Sequence, residues 1–249
     1  MLALIQMILA LIILGPIYRK FIKCETTNSI SKKQAIVPVI LGIVSVVTLF
    51  AFTIGEAVLF RLVGISKDNI TNPALKALFA AFTVAGFTEE ISKLIMMLIS
   101  FKAFKPKNVY EYILIGFGVS MGFTLFEEFL YGAGLTSLFR IPTMAIHVVF
   151  GLIMSKNIGL AKHKKVVGDS GTLPLYLKAI IIPIALHTIY DAATGFNPAF
   201  AEGADEVVVG IGVLVAFIVE VASTIIQIVY IVKTGKNAGK YSSMQTVSA

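Results

Sequence analysis

The chain has 249 residues, of which 57% are hydrophobic and only 14% are charged. Soluble domains carry about 25% charged residues, so this composition excludes a soluble globular protein. The formal net charge of +7 would suit nucleic-acid binding, but the basic residues are concentrated in alternate connections between apolar segments. We therefore predict a polytopic membrane protein that contacts the lipid bilayer and has no nucleic-acid partner.

Seven apolar segments are long enough to cross a bilayer as helices, which takes roughly 20 residues each. The connections between them are too short to form a separate soluble domain. We predict an all-α, polytopic helical bundle that forms a single integral membrane domain over residues 1–249. The predicted spans are, in chain order, 2–18, 35–63, 73–101, 109–132, 135–155, 173–196 and 206–232.

The distribution of basic residues predicts the orientation of these spans. Five Lys or Arg residues lie in 19–33, three in 102–107, four in 156–165 and three after residue 232. Of the alternate connections, 64–72 contains Lys67 as its one basic residue, 132–136 contains no charged residue, and 197–206 contains only acidic ones. Because cytoplasmic loops carry the excess of positive charge, we predict an N-terminus outside the cell and a cytoplasmic C-terminus.

Several ionisable residues interrupt the apolar spans. An ionised side chain at the centre of a bilayer costs about 2.5–3.5 kcal/mol. Seven of them facing lipid would cost on the order of 20 kcal/mol, which exceeds the stability of a typical domain. We therefore expect them to face one another inside the bundle, together with two histidines of the same spans. These residues are Glu89, Glu90, Lys93, Glu127, Glu128, Arg140, Asp191, His147 and His187.

Helical spacing predicts contacts within this set. Lys93 lies three residues after Glu90 and four after Glu89, so it is expected to bridge both carboxylates. His187 and Asp191 are four residues apart, a spacing at which a carboxylate orients an imidazole.

The fifth span is predicted to present Arg140 and His147 on one face, since they are seven residues apart. Pro142 and Pro183 precede the two histidines by five and four residues. Each proline is expected to kink its helix and to open room for water inside the bundle.

The order of the polar motifs is informative as well. They are EEISK at 89–93, GFTLFEEFLY at 122–131, RIPTMAIHVVFG at 140–151 and HTIYD at 187–191. This order resembles the PrsW family of intramembrane proteases, which belongs to the clan of the CAAX proteases and bacteriocin-processing enzymes. The resemblance covers roughly residues 86–191. It implies a catalytic four-helix core at about 73–196, membrane-anchored protein or peptide substrates, and the cell membrane of a prokaryote.

The resemblance also implies which residues form the site. The catalytic set is Glu89, Glu90, Glu127, His147, His187 and Asp191, supported by Lys93, Tyr131 and Arg140. Two positions depart from the family pattern: Glu128 and Asp191 stand where asparagine is common. An ionised aspartate only accepts hydrogen bonds, which disfavours an oxyanion role for Asp191. It favours an aspartate that orients His187 or binds a metal.

Two versions of the hydrolytic chemistry fit these residues. In the metal version, His147, His187 and a carboxylate (Glu127 or Asp191) bind zinc, and Glu89 accepts a proton from water. In the metal-free version, Glu89 and His147 activate water directly and His187 steadies the oxyanion. No HExxH motif is present. The surplus of acidic groups near two histidines favours zinc, with Glu127 as the third ligand.

Three alternatives remain open. A non-catalytic scaffold, similar to the anterior pharynx-defective subunit of gamma-secretase, would keep membrane histidines, but the paired Glu89 and Glu90 argue against it. A transporter would also bury charges, but we find no inverted repeat. The string GVSMG at 118–122 formally matches a nucleophile elbow with Ser120 as its serine. Because it lies inside a predicted helix, we interpret it as a small-residue pattern for close helix packing.

Overall fold

The computed structural model describes residues 2–66, 69–132, 140–200 and 205–247, with the backbone alone for Phe200. Within these ranges the chain is helical and contains no β-strand. The helices are α1 (Leu2–Lys23), α2 (Lys32–Val63), α3 (Pro73–Ala81), α4 (Thr88–Phe104), α5 (Val109–Tyr131), α6 (Ile146–Val166), α7 (Leu173–Ala193), α8 (Glu206–Lys236) and α9 (Ala238–Ser242). A π-helical turn, Phe82–Phe87, joins α3 to α4 without a break, and a 3₁₀ turn occupies Pro198–Phe200.

The predicted all-α membrane bundle is confirmed. Six stretches of the described chain are long and apolar enough to cross a membrane: 2–23, 32–63, 109–131, 140–166, 173–193 and 206–236. The third predicted span, 73–101, is helical throughout, but the π-helical turn divides it into α3 and α4. Neither helix alone is among the six stretches that are long enough to cross a membrane. The count of seven spans and their orientation stay predictions.

Local sequence signals set the helix ends. Ser31 and Gln34 form a reciprocal capping box at the start of α2. Asn72 caps α3 immediately before a proline, and Asn108 caps α5 by accepting from the backbone N–H of Glu111. These side chains satisfy amide groups that have no partner within the first turn. Gly64 ends α2 with a φ of +69°, a conformation that glycine adopts at little cost.

The α5 helix lies at the centre of the bundle, between α1, α2, α4 and α6, and most of its side chains are buried. Small residues bring its backbone close to its neighbours. A Cβ atom on Gly122 would collide with the backbone of α2 at Val39 and Gly42. The predicted role of the small-residue pattern in helix packing is therefore confirmed. Ser120 lies against Gly151 of α6, where a Cβ atom would collide with the serine hydroxyl, so Ser120 serves the α5–α6 contact.

The π-helical turn brings α4 close to α7. Gly86 lies inside this turn, and a Cβ atom there would collide with the hydroxyl of Thr188 and lie 3.0 Å from the carbonyl oxygen of Ile184. Single π-helical turns inside α-helices are frequent at functional sites. Here the turn directly precedes Glu89 and Glu90, so it fixes how these carboxylates face α7.

The fifth predicted span differs from the observed helix. It was expected at 135–155, whereas α6 begins at Ile146 and continues to Val166, and residues 133–139 lie outside the described chain. Arg140 and Pro142 belong to a 3₁₀ turn before α6, so the expected common helical face of Arg140 and His147 and the expected kink at Pro142 are wrong. Proline has no backbone N–H for a helical hydrogen bond, which favours the delayed start of α6. Pro183 does lie inside α7.

Candidate active site

Glu90 and His187 connect α4 to α7 in the interior of the bundle. The Oε1 atom of Glu90 accepts hydrogen bonds from Nδ1 of His187 at 2.7 Å and from Nζ of Lys93 at 2.5 Å. All three side chains are at most 2% exposed. Because Nδ1 donates to Glu90, Nε2 of His187 retains its lone pair for another partner. Carboxylates commonly hold metal-ligating histidines in this way.

Lys93 also reaches the second histidine. Its Nζ atom lies 3.2 Å from Nδ1 of His147, and the rings of His147 and His187 pack edge to face with centroids 5.0 Å apart. The expected contact of Lys93 with Glu90 is confirmed. The expected contact with Glu89 is wrong, because Lys93 forms no ion pair with Glu89 in the described chain. The lysine is directed towards His147 instead.

His147 and Arg140 meet at Glu127, although they do not share a helix. Nε2 of His147 lies 2.5 Å from Oε2 of Glu127, and an amino group of Arg140 donates to Oε1 at 2.7 Å. The close contact to Oε2 does not have the direction of a hydrogen bond, so this buried oxygen has no aligned donor within the described residues. Arg140 also donates to Glu128 at 3.3 Å, and its guanidinium group stacks on Tyr131.

Glu89 makes few polar contacts in this site. Its Oε2 atom is buried and has no hydrogen bond within the described chain. It lies 3.8 Å from Nε2 of His187, and Asp191 approaches the same nitrogen to 3.6 Å. Ligand atoms of Glu89, His147 and His187 all lie within 4.8 Å of one another, the one such group found in the described chain. The structure thus favours Glu89 as third ligand, where the sequence pointed to Glu127.

The donor set suits a divalent cation. Imidazole nitrogens and a carboxylate oxygen are typical zinc ligands. Five carboxyl groups face only two basic side chains in this part of the bundle, so a dication would offset the excess of negative charge. The five acidic residues are Glu89, Glu90, Glu127, Glu128 and Asp191, and the two basic ones are Lys93 and Arg140.

His187 can bind a cation through Nε2 as it lies in the structure. His147 can bind one through Nε2 only if its ring hydrogen is on Nδ1. A neutral imidazole has one N–H and one lone pair. If Nε2 of His147 binds a cation, Nδ1 carries the ring hydrogen, and Lys93 has to be the neutral amine in order to accept it. If Lys93 donates to Nδ1, Nε2 keeps the ring hydrogen and has no lone pair for a cation. The contact between Lys93 and His147 therefore determines whether this histidine is a ligand.

A small cavity of about 10 Å³ adjoins these groups. It is lined by Glu127, Arg140, His147, Tyr190 and Asp191, among others. This volume holds about one water molecule and no peptide segment. Access of a substrate therefore requires a movement of the surrounding helices.

Sequence reasoning missed several members of this network. Gln6 of α1 donates to Oε2 of Glu128 at 3.0 Å and is 2% exposed. Tyr190 donates to Glu220 of α8 and also lies 2.9 Å from the hydroxyl of Thr143. A glutamine within an otherwise apolar span was the available signal for the first contact. No comparable signal marked Tyr190, because a tyrosine in a membrane span fits many environments.

The buried carboxylates, the facing histidines and the space for one water form a polar site inside an apolar helical bundle. The profile of the family described as "PrsW family intramembrane metalloprotease" matches residues 31–223, most of the chain. The chain belongs to this family, as its motifs predicted.

Bacterial relatives support this membership. Protease PrsW of Shouchella clausii is 35% identical over 133 residues, which cover 51% of this chain and 58% of the relative. Protease PrsW of Halalkalibacterium halodurans is 29% identical over 151 residues, covering 57% of this chain and 66% of the relative. Protease PrsW of Bacillus subtilis is 27% identical over 150 residues, again 57% and 66%. These matches thus span 58% to 66% of the relatives' length. No solved structure matches the chain.

Proposed function

We propose that this protein is an intramembrane metalloprotease that hydrolyses peptide bonds of membrane-anchored proteins or peptides. The observation that carries the proposal is the convergence of Glu89, His147 and His187 from three different helices, with ligand atoms within 4.8 Å of one another. The relatives named Protease PrsW support peptide hydrolysis, and their bacterial sources support the cell membrane of a prokaryote as the location. The catalytic core is proposed to be the four helical segments within 73–196.

Glu89, His147 and His187 are proposed to hold the metal, and the donor chemistry favours zinc. When bound, the ion supplies Lewis-acid activation of water and stabilises the negative charge that develops during hydrolysis. Glu90 orients His187 through Nδ1, and Lys93 ties Glu90 to the second histidine. These supporting contacts fix both rings before a substrate arrives.

Glu127 is proposed to accept the proton of the attacking water at Oε2. This oxygen is buried, has no aligned donor within the described chain, and borders a cavity that holds about one water. Arg140 holds the other oxygen of the same carboxylate, which fixes the direction of Oε2. The sequence had suggested the reverse roles, with Glu89 as the base and Glu127 as a ligand. The exchange is favoured because Glu89, and not Glu127, forms the group of ligand atoms within 4.8 Å with both histidines.

One observation favours the metal-free version of the chemistry. The 3.2 Å contact of Lys93 with Nδ1 of His147 has the geometry of an ammonium group donating to a ring nitrogen. In that version Nε2 of His147 carries the ring hydrogen and can only donate, so Glu89 is the base that activates the water. The two versions differ in their response to chelation.

The test is cleavage in reconstituted vesicles. The purified full-length chain is mixed with a single-span model substrate in proteoliposomes, and products are mapped by mass spectrometry. We expect cleavage within or next to the substrate's span, loss of cleavage with a membrane-permeant zinc chelator, and recovery when zinc returns. Tyr131→Phe is the matched control, because it keeps the ring that stacks on Arg140. Undiminished cleavage after removal of metal would refute the metal version. If the unsubstituted protein cleaved no substrate at all, that result would count against a protease.

A further inference from the structure

A second cavity lies between α1 and α8, away from the buried carboxylates. It is a groove of about 480 Å³, and its walls are almost entirely apolar. The segment from Ile141 to Ala145 forms its floor, directly between the site residues Arg140 and His147. The side walls include Ile13, Ile17, Phe21, Ile228, Ile231 and Val232.

One end of the groove is basic. Lys20, near the end of α1, and Lys236, the last residue of α8, both border it. Both side chains are exposed, and neither has an ion-pair partner among the residues that the structure describes. Two unpaired ammonium groups at the mouth of an apolar groove are complementary to a molecule with an anionic head and a hydrocarbon body.

The length of the groove corresponds to one leaflet of a bilayer. From Ile13 to Lys20 the α1 wall rises about 10 Å, and from Gln227 to Lys236 the α8 wall rises about 13 Å, at 1.5 Å per residue. One leaflet contributes about 15 Å to a hydrocarbon core of about 30 Å. A transmembrane substrate helix would need the full 30 Å and a diameter of about 10 Å, so the groove fits a lipid chain better.

We infer that this groove is a binding site for an anionic phospholipid, with the headgroup phosphate on Lys20 and Lys236 and an acyl chain along the groove between α1 and α8. The site is separate from the proposed metal site and does not depend on protease activity. A bound chain would lie against the segment that leads from Arg140 to His147, and so would support it.

The chain contains no tryptophan, so one introduced tryptophan is a specific fluorescent reporter. Val232 lines the groove and is 49% exposed, which makes Val232→Trp a tolerable change. The full-length variant is reconstituted in phosphatidylcholine vesicles that contain brominated phosphatidylglycerol or, at the same fraction, brominated phosphatidylcholine. Each lysine near an anionic headgroup contributes roughly a five-fold preference. We expect phosphatidylglycerol to be preferred at the quenched site on the order of 20-fold, and the preference to vanish in a Lys20→Ala/Lys236→Ala background.

Two controls separate the groove from general effects. Ile226→Trp places the reporter on an exposed part of α8 that does not line the groove, and we expect little lipid preference there. Lys32→Ala/Lys33→Ala removes two exposed lysines elsewhere and should leave the signal of Val232→Trp unchanged. Equal quenching by both lipids at Val232→Trp, or an equal preference at Ile226→Trp, would overturn the inference.

Cys24 borders the same end of the groove and offers an alternative source of an acyl chain. We therefore repeat the measurement in a Cys24→Ser background and expect the same preference for phosphatidylglycerol. A preference or a quenching pattern that changes with Cys24→Ser, together with an acylated mass for the unsubstituted chain, would assign the groove to a covalently attached lipid and refute the inference.

Discussion

Replacing Glu89 with glutamine is expected to reduce cleavage about 1,000-fold or more, because the proposed metal site loses its anionic ligand and several kcal/mol of charge stabilisation in the transition state. The amide has nearly the same shape as the carboxylate, so the helices keep their packing. The measurement is the initial rate of substrate cleavage in proteoliposomes at equal protein content. Thermal unfolding followed by circular dichroism checks that the variant is folded.

Glu56→Gln is the matched control for this change. Glu56 lies on α2 and takes part in none of the contacts of the site within the described chain, so the same chemical change there should leave the cleavage rate within about two-fold. If Glu89→Gln retained near-normal cleavage, neither a ligand role nor a base role for Glu89 would survive. A loss of activity shared by both variants would point to a general effect on the membrane protein.

Gly86→Leu is expected to abolish cleavage by separating α4 from α7. The new side chain would collide with Thr188 and with the backbone of Ile184, so α7 has to move away from the π-helical turn. His187 follows α7 and loses its contacts with Glu90 and Glu89. Inserting a large side chain into a packed interface typically costs about 1–3 kcal/mol of stability. Cleavage rate and the unfolding midpoint in detergent are both measured.

A glycine of α8 provides the comparison for this prediction. A Cβ atom on Gly210 meets no atom within 4 Å, so Gly210→Leu adds the same side chain where space is open. We expect Gly210→Leu to keep both activity and the unfolding midpoint. A second variant, Gly86→Ala combined with Thr188→Ala, adds a smaller side chain and removes the nearest obstacle, so it should retain part of the activity that Gly86→Leu loses. Full activity of Gly86→Leu would show that close packing of α4 on α7 is dispensable.

The sequence was sufficient for the fold class and for the clustering of the buried charged residues, for a physical reason. Charges inside apolar spans are too costly to face lipid, so Glu90, Lys93 and His187 had to meet one another wherever the helices packed. The i,i+3 spacing of Glu90 and Lys93 translated directly into a contact. Motif order then indicated the family, which the match over residues 31–223 confirms.

The parts that sequence reasoning missed depend on tertiary packing. Arg140 was assigned to a helix because the apolar run continues across it, yet Pro142 delays the start of α6 and the arginine reaches Glu127 from a 3₁₀ turn. The sequence also could not assign the roles of metal ligand and base between Glu89 and Glu127. Both lie at helical positions with suitable neighbours, and only the tertiary structure shows that Glu89 converges with both histidines.

Zinc analysis of four purified proteins tests the central claim most directly. The claim is that Glu89, His147 and His187 hold the metal while Glu127 moves the proton. We compare the unsubstituted chain with Glu89→Gln, Glu127→Gln and His187→Ala by elemental analysis, and measure cleavage in parallel. The account predicts about one zinc per chain in the unsubstituted protein and in an inactive Glu127→Gln, and strongly reduced zinc in the other two. An active protein without zinc, or zinc retained by Glu89→Gln and lost from Glu127→Gln, would contradict it.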